Sequence, residues 1–193
     1  MSQDRRIRRT QKLLGEALIA LVLEKGYKNI TIQEVTERAD IGYRTYFRHY
    51  SGLDELSIDI ARGRLEELYE VMGLPKVGDE VNDPIAVFRQ SGKDLFKHIQ
   101  KEKDIFKVLL LDDSLYFVHK PVMQMACKKS EELLGTIPNP KISAAITANH
   151  IIASVFALMR WWLENDMPHS PQKMGEIYAN LIIEPTWLAM TSA

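Results

Sequence analysis

Eight consecutive residues, "YRTYFRHY" from Tyr43 to Tyr50, gather four aromatic rings (Tyr43, Tyr46, Phe47, Tyr50) around Arg44, Arg48 and His49. Guanidinium groups donate paired hydrogen bonds to anions or base edges, and aromatic rings seek burial or an apolar partner. Such a set does recognition chemistry, core packing, or both. Patterns for bond-breaking chemistry are missing. The sequence holds no G-x-S-x-G, no Walker A and no G-x-G-x-x-G motif. Cys127 is the sole cysteine and has no recognisable partner pattern. His98 and Glu102 stand four apart, a metal-ligand spacing, but two ligands are too few for a site. The expectation is a protein that is not an enzyme and needs no cofactor and no metal.

Composition narrows the class. A chain of 193 residues suits one large domain or two small ones and can bury a core without staples. One cysteine excludes an internal disulfide framework and fits a reduced, cytoplasmic setting. "MSQDRRIRRTQ" has no apolar run after its charges, unlike a signal peptide. Residues 142–163 are long and apolar enough to span a bilayer. Asn149, His150 and Arg160 interrupt them, so a helix buried on several faces is expected, with no membrane partner. Net charge is −1, but it is unevenly spread. Residues 1–50 hold ten Lys/Arg against six Asp/Glu, a balance of +4, which leaves −5 for the remainder. A basic end on an acidic body hints at nucleic acid, or is simply solvated helix surface.

Those side chains need elements to carry them. The periodicity is helical throughout, with no strand-like alternation and no repeat. A first helix is expected from about Arg5 to Lys25, with Leu13, Leu14, Ala17, Leu18, Leu21 and Val22 on one stripe and Gly26 ending it. Thr31 and Glu34 form a capping box, with Ile30 and Val35 as a staple, opening a short helix that ends near Ala39. "ADIG" is a tight turn before a third helix, Gly42 to His49. Ser51 caps a fourth, with Asp54 at its third position, running to about Met72. Residues 73–84 are a loop. Helices follow near 84–100, 103–112, 114–135 and 141–165. Ser170 and Pro171 start the last one, 171–190, which Pro185 should kink or shorten. The fold class is all-α with about nine helices. A small head (1–52) precedes a larger helical body (53–193).

Two short helices joined by a tight turn, after a longer supporting helix, have the layout of a helix-turn-helix. "ITIQEVTERADIGYRTYFRHYSGLDEL" resembles the N-terminal domain of the tetracycline-repressor (TetR) family of transcriptional regulators. The resemblance covers about residues 8–60. It rests on Ile30-Thr31, Ala39, Ile41, Thr45-Tyr46-Phe47, His49-Tyr50 and Ser51 to Leu56. "FALMRWWLENDMPHSPQKMGEIYANLI" also looks like the tail of one TetR subgroup. On a helix wheel the four aromatics fall within about 100°, so periodicity alone would bury them all. The resemblance implies a division. Tyr46 and Tyr50 would pack inward, while Tyr43, Arg44 and Phe47 would face the major groove. Arg44 would pair with guanine and Phe47 touch a thymine methyl. Thr45 and His49 would meet phosphates. Thr31 and Gln33 are further contacts, Thr31 competing with its capping role. Arg48 either reaches phosphate or is solvated. Two positions depart from the family pattern. Gly42 replaces a capping Ser or Thr, and Leu53 replaces a phosphate-binding Lys. Residues 5–9, "RRIRR", are either a flexible DNA-binding arm that compensates or a solvated tail.

The resemblance also implies a homodimer on a palindromic double-stranded operator, and a small-molecule effector in the body. The 141–165 helix is apolar on two faces: Ile142, Ile146, Ala153 and Phe156 on one, Ile151, Val155, Leu158 and Trp162 on the other. The second face, with Ile177 and Leu181 of the last helix, is the expected dimer interface. Tyr69, Phe96, Phe106, Tyr116, Phe117 and Met123 can line a ligand pocket, or fill ordinary core; Asn149 and His150 can orient a ligand. The expected function is a DNA-binding repressor released by its ligand. The alternative is an all-α ligand-binding or protein-interaction module with little specific DNA binding.

Overall fold

The computed structural model describes residues 2–74 and 83–191, so the loop expected at 73–84 falls mostly outside the described residues. All regular structure among them is helical. The helices are α1 (Ser2–Lys25), α2 (Ile32–Ala39), α3 (Tyr43–Tyr46), α4 (Leu53–Met72), α5 (Pro84–Lys101), α6 (Lys103–Leu111), α7 (Tyr116–Leu134), α8 (Ala144–Glu164), α9 (Pro171–Tyr178) and α10 (Glu184–Thr191). A five-residue π-helical turn, Ala179–Ile183, joins α9 to α10, so 171–191 is one continuous rod. Pro185 lies just past that turn. The regular α-helix expected over 171–190 is thus interrupted by that turn, just before the proline.

The chain forms two compact units. The first comprises the chain up to Gly63 together with Asp104–His119. The second comprises Arg64–Lys103 and everything from Lys120 onward. The divisions fall inside α4, after the first residue of α6 and inside α7.

In the first unit, Leu14, Ala17, Leu18, Leu21 and Val22 form the buried stripe of α1. Gly26, at φ +76°, ends the helix, and its N–H donates to the Val22 carbonyl at 2.8 Å. Few residues other than glycine adopt that conformation. The basic run Arg5 to Arg9 is not a flexible arm: it belongs to the first turns of α1 and is exposed. Residues 104–119 join this unit through Phe117, whose ring lies 5.8 Å from that of Tyr27.

The second unit is built around Trp162, which is fully buried and meets Phe96 edge-to-face at 5.2 Å. Burying such rings stabilises by roughly 1.5–3 kcal/mol each. Helices α5 and α9 approach closely enough to require glycine on both. A β-carbon at Gly92 would stand 2.3 Å from the Tyr178 ring, and one at Gly175 only 2.7 Å from the Lys93 backbone nitrogen. Helix α8 has the length and composition to cross a membrane. In this unit Thr147, Ala148, Ile152, Val155, Met159 and Trp162 are buried along one side of it.

Candidate nucleic-acid interface and ligand cavity

Local sequence sets the head's geometry. Thr31 opens α2 with a complete capping box: its hydroxyl accepts from the Glu34 N–H at 3.3 Å, and its own N–H donates to the Glu34 carboxylate at 2.9 Å. Lys25 also pairs with Glu34. Together these donors hold the Glu34 carboxyl well down, at a pKa of about 2, the Lys25 hydrogen bond contributing most. The turn after α2 closes with Asp40 in the left-handed region (φ 52°). The Ile41 N–H donates to the Thr36 carbonyl at 3.0 Å and the Asp40 N–H to the Glu37 carbonyl at 3.2 Å. This is Schellman geometry with aspartate where glycine is usual.

The helix after the turn is shorter than expected. Regular α-helix covers Tyr43–Tyr46, and the chain then tightens: the Arg48 N–H bonds the Thr45 carbonyl and the His49 N–H the Tyr46 carbonyl, three residues back. Gly42 caps it without a side-chain hydrogen bond.

The four rings divide by environment. Tyr46 is fully buried and Tyr50 nearly so, whereas Tyr43 is 55% exposed and Phe47 47%. The exposed pair pack on one another, ring centroids 5.1 Å apart. Arg44 and Arg48 are also exposed; Thr45 and His49 are half-buried. The Tyr50 hydroxyl donates to Asp59 of α4 at 2.6 Å, which with burial raises its pKa. The Tyr46 hydroxyl is buried with no hydrogen-bond partner, and burial pushes its pKa up to about 12. The head therefore presents Tyr43, Arg44, Phe47 and Arg48 outward from one short helix. Thr31 and Gln33 are exposed at the start of α2. Gln33 is tied to Glu37 at 2.8 Å and, with Tyr43, borders an open cleft at the turn.

At the start of α4, Glu55 rather than Asp54 satisfies Ser51, accepting from its N–H at 2.8 Å and its hydroxyl at 2.7 Å. Asp54 instead accepts from the Tyr27 hydroxyl at 2.5 Å. Leu53, in place of the family's lysine, is half-buried.

The second unit encloses a cavity of about 70 Å³ between α4, α5, α7, α8 and the α9–α10 rod. Of the expected ligand-binding residues it takes only Tyr69, with Met72 and Phe88 nearby in sequence and Ile151, Ile152, Val155, Phe156 and Met159 from α8. The remaining expectations are corrected. Phe106, Tyr116 and Phe117 belong to the first unit. Phe106 is buried there, and Tyr116 is 70% exposed. Phe96 is core against Trp162, and Met123 does not reach the cavity. Asn149 and His150 point outward and are exposed. The signal that would have found the lining is the α8 face carrying Ile151, Ile152, Val155 and Met159.

The residues of the expected dimer interface lie as follows within the single chain. Trp162 is core, Ile151 and Val155 line the cavity, and Leu158 and Ile177 are half-buried; of that set only Leu181 is exposed. The outward apolar residues of α8 are Ile146, Ala153, Ala157 and Trp161, and on the last rod Leu181 and Leu188.

A capped helix, a tight turn and a short aromatic–basic helix, on an otherwise helical chain, define a helix-turn-helix protein. The family model for the C-terminal region of a TetR-type transcriptional regulator matches residues 89–184. Over 56 residues the chain is 30% identical to the HTH-type transcriptional regulator TcmR of Streptomyces glaucescens, covering 29% of this chain and 25% of that protein. Over 102 residues it is 26% identical to an HTH-type transcriptional regulator of Haemophilus influenzae, covering 53% of this chain and 49% of that one. The chain thus aligns with a quarter and about half of the length of these relatives. Among solved structures, the fatty acid degradation regulator FadR from Bacillus halodurans superposes with a TM-score of 0.70 at 13% identity, covering 90% and 94% of the two chains. NalD, the secondary repressor of the MexAB-OprM multidrug efflux pump in Pseudomonas aeruginosa, gives 0.66 at 17% identity, covering 96% and 98%. This chain belongs to the TetR family of transcriptional regulators.

Proposed function

We propose that the protein is a cytoplasmic transcriptional repressor that binds a near-palindromic DNA operator as a homodimer and is released by a small, uncharacterised ligand. The observation that carries this reading is the division of the short aromatic–basic helix: Tyr46 and Tyr50 hold it to the head, while Tyr43, Arg44, Phe47 and Arg48 face outward. In this reading Arg44 pairs with guanine O6 and N7 and Phe47 covers a thymine methyl. Thr31, Gln33, Thr45, Arg48 and His49 fix the register through phosphates. The exposed arginines of the first turns of α1 add phosphate contacts.

One head reads too few base pairs, and paired recognition helices about 34–36 Å apart read a palindrome. The outward apolar residues Ile146, Ala153, Ala157, Trp161, Leu181 and Leu188 supply a self-complementary surface for that pairing. The names of structural neighbours, a repressor of an efflux pump in NalD and in SmeT, support repression. Release requires a ligand with unequal affinity for the DNA-competent and DNA-incompetent states. Helix α4 runs unbroken from the head into the ligand unit, a direct route for that coupling.

The test is fluorescence anisotropy on DNA flanking the protein's own gene, across a salt series. Specific binding at moderate salt is expected; its absence sinks the proposal. Arg44→Ala should weaken specific binding by about 1–3 kcal/mol and relax base preference at one position. Equal loss on all sequences would reassign Arg44 to phosphate.

A further inference from the structure

The cavity of the second unit defines the chemistry of what it can hold. No Asp, Glu, Lys, Arg or His side chain is among its described lining residues. Among the described lining residues, the polar side chains are the hydroxyls of Tyr69, Ser130 and Tyr178. A buried charge without a partner is costly, and a carboxylate or ammonium group placed here would find no opposite charge among those residues. Lys129 is close by, but its ammonium group lies over the Tyr69 ring, 4.4 Å from the centroid, and Lys129 itself is exposed and outside the lining.

One place in the wall can exchange a hydrogen bond. The Tyr69 hydroxyl donates to the Ala126 carbonyl at 3.0 Å and shares a second bond of 3.0 Å with the Ser130 hydroxyl. With the Tyr69 proton committed to the carbonyl, Ser130 donates the bond to Tyr69, and its own oxygen is left to accept from a ligand hydroxyl. Size sets a further limit. At about 70 Å³ the space admits only a compact group, and a full ring requires its wall to give. Met72 and Met159 line the space and adapt to modest differences in shape.

We infer that the effector site takes an uncharged, compact apolar group, one ring or a short branched chain, with a single hydroxyl donating to the Ser130 oxygen of the Tyr69–Ser130 pair. The inference builds on the ligand-controlled reading above and names the ligand's chemical class.

Thermal melting of the full chain, without DNA, tests it with a matched series: toluene, benzyl alcohol, benzoate and benzylammonium. Benzyl alcohol and toluene should raise the melting temperature in a concentration-dependent way, and the two ions should not. Ala126→Val should weaken benzyl alcohol binding, and Ala126→Leu, which fills the cavity, should abolish it. Circular dichroism reports whether each variant is folded; should the leucine variant not fold, the valine variant decides. Ser130→Ala should cost benzyl alcohol about fivefold in affinity and leave toluene unchanged. The inference is overturned by ions binding as well as the alcohol, by binding that survives both Ala126 substitutions, or by no binding in the series. Operator binding is measured separately on probe-free protein. Intact operator binding with no probe binding overturns this inference alone. Probe binding with no operator binding overturns the repressor reading alone.

Discussion

Tyr46 and Phe47 are adjacent in the chain and opposite in environment. Tyr46 is sealed against the head, its hydroxyl unsatisfied, while almost half of the Phe47 surface meets solvent. A buried hydroxyl without a partner costs about 1–3 kcal/mol, so Tyr46→Phe should stabilise the head by about 1 kcal/mol, read as a higher denaturation midpoint. It should also change the alkaline limb. The Tyr46 pKa is raised from 10.0 to about 12, chiefly by burial and then by Glu55 and Asp54. A raised phenol contributes stability that is complete below pH 10 and is lost as pH climbs toward 12. The phenylalanine variant should lose less stability across that window. Helical spacing did not reveal this division, because all four rings fall within one arc. Resemblance separated them by position, and the tightened backbone after Tyr46 is the geometry that accompanies the division. Asn149 and His150, polar residues in an apolar helix, are exposed and lie outside the cavity lining.

Capping signals were the most legible elements. Thr31 with Glu34, and Ser170 before Pro171, each place a side-chain oxygen on the backbone N–H three residues on. These are local interactions, which sequence encodes directly. Glu34 is also a pH-sensitive part of the head. Its depressed carboxyl contributes stability that is present above the ordinary value of 4.5 and is lost as pH falls toward 2. Glu34→Gln should flatten the acid limb of the stability profile over that range. Close helix contacts were illegible, since nothing local distinguishes Gly92 and Gly175 from other glycines. Gly175→Ala forces a β-carbon to within 2.7 Å of backbone on α5. Overpacking against a rigid neighbour costs about 1–3 kcal/mol, and a lower melting temperature for Gly175→Ala checks it. The π-helical turn that interrupts the last helix before Pro185 is likewise not announced by the sequence.

At the scale of the molecule, residues 104–119 were assigned to the body because they follow it in sequence. Packing of Phe117 on Tyr27 places them with the first unit instead. Long-range pairings of this kind are beyond periodicity. The same limit applies to the proposed dimer surface: two apolar faces are visible on α8 in the sequence, but which one the chain itself covers is not. With the inner face taken by the cavity and Trp162, the outer face is the one available to a second copy. Trp161→Glu, and separately Leu181→Glu, should weaken dimerisation by about 2 kcal/mol or more, seen as a shift to monomer in light scattering with helicity unchanged. A dimer that persists in both variants would move the interface elsewhere. Trp161 and Trp162 also have an optical consequence. One is 44% exposed and stacked near His169, and its neighbour is wholly enclosed beside Phe96. With Trp187 half-buried, the intrinsic emission of the chain is a composite. Its red-edge, quencher-accessible component belongs to Trp161 and will report association, while the shielded blue component follows the integrity of the core.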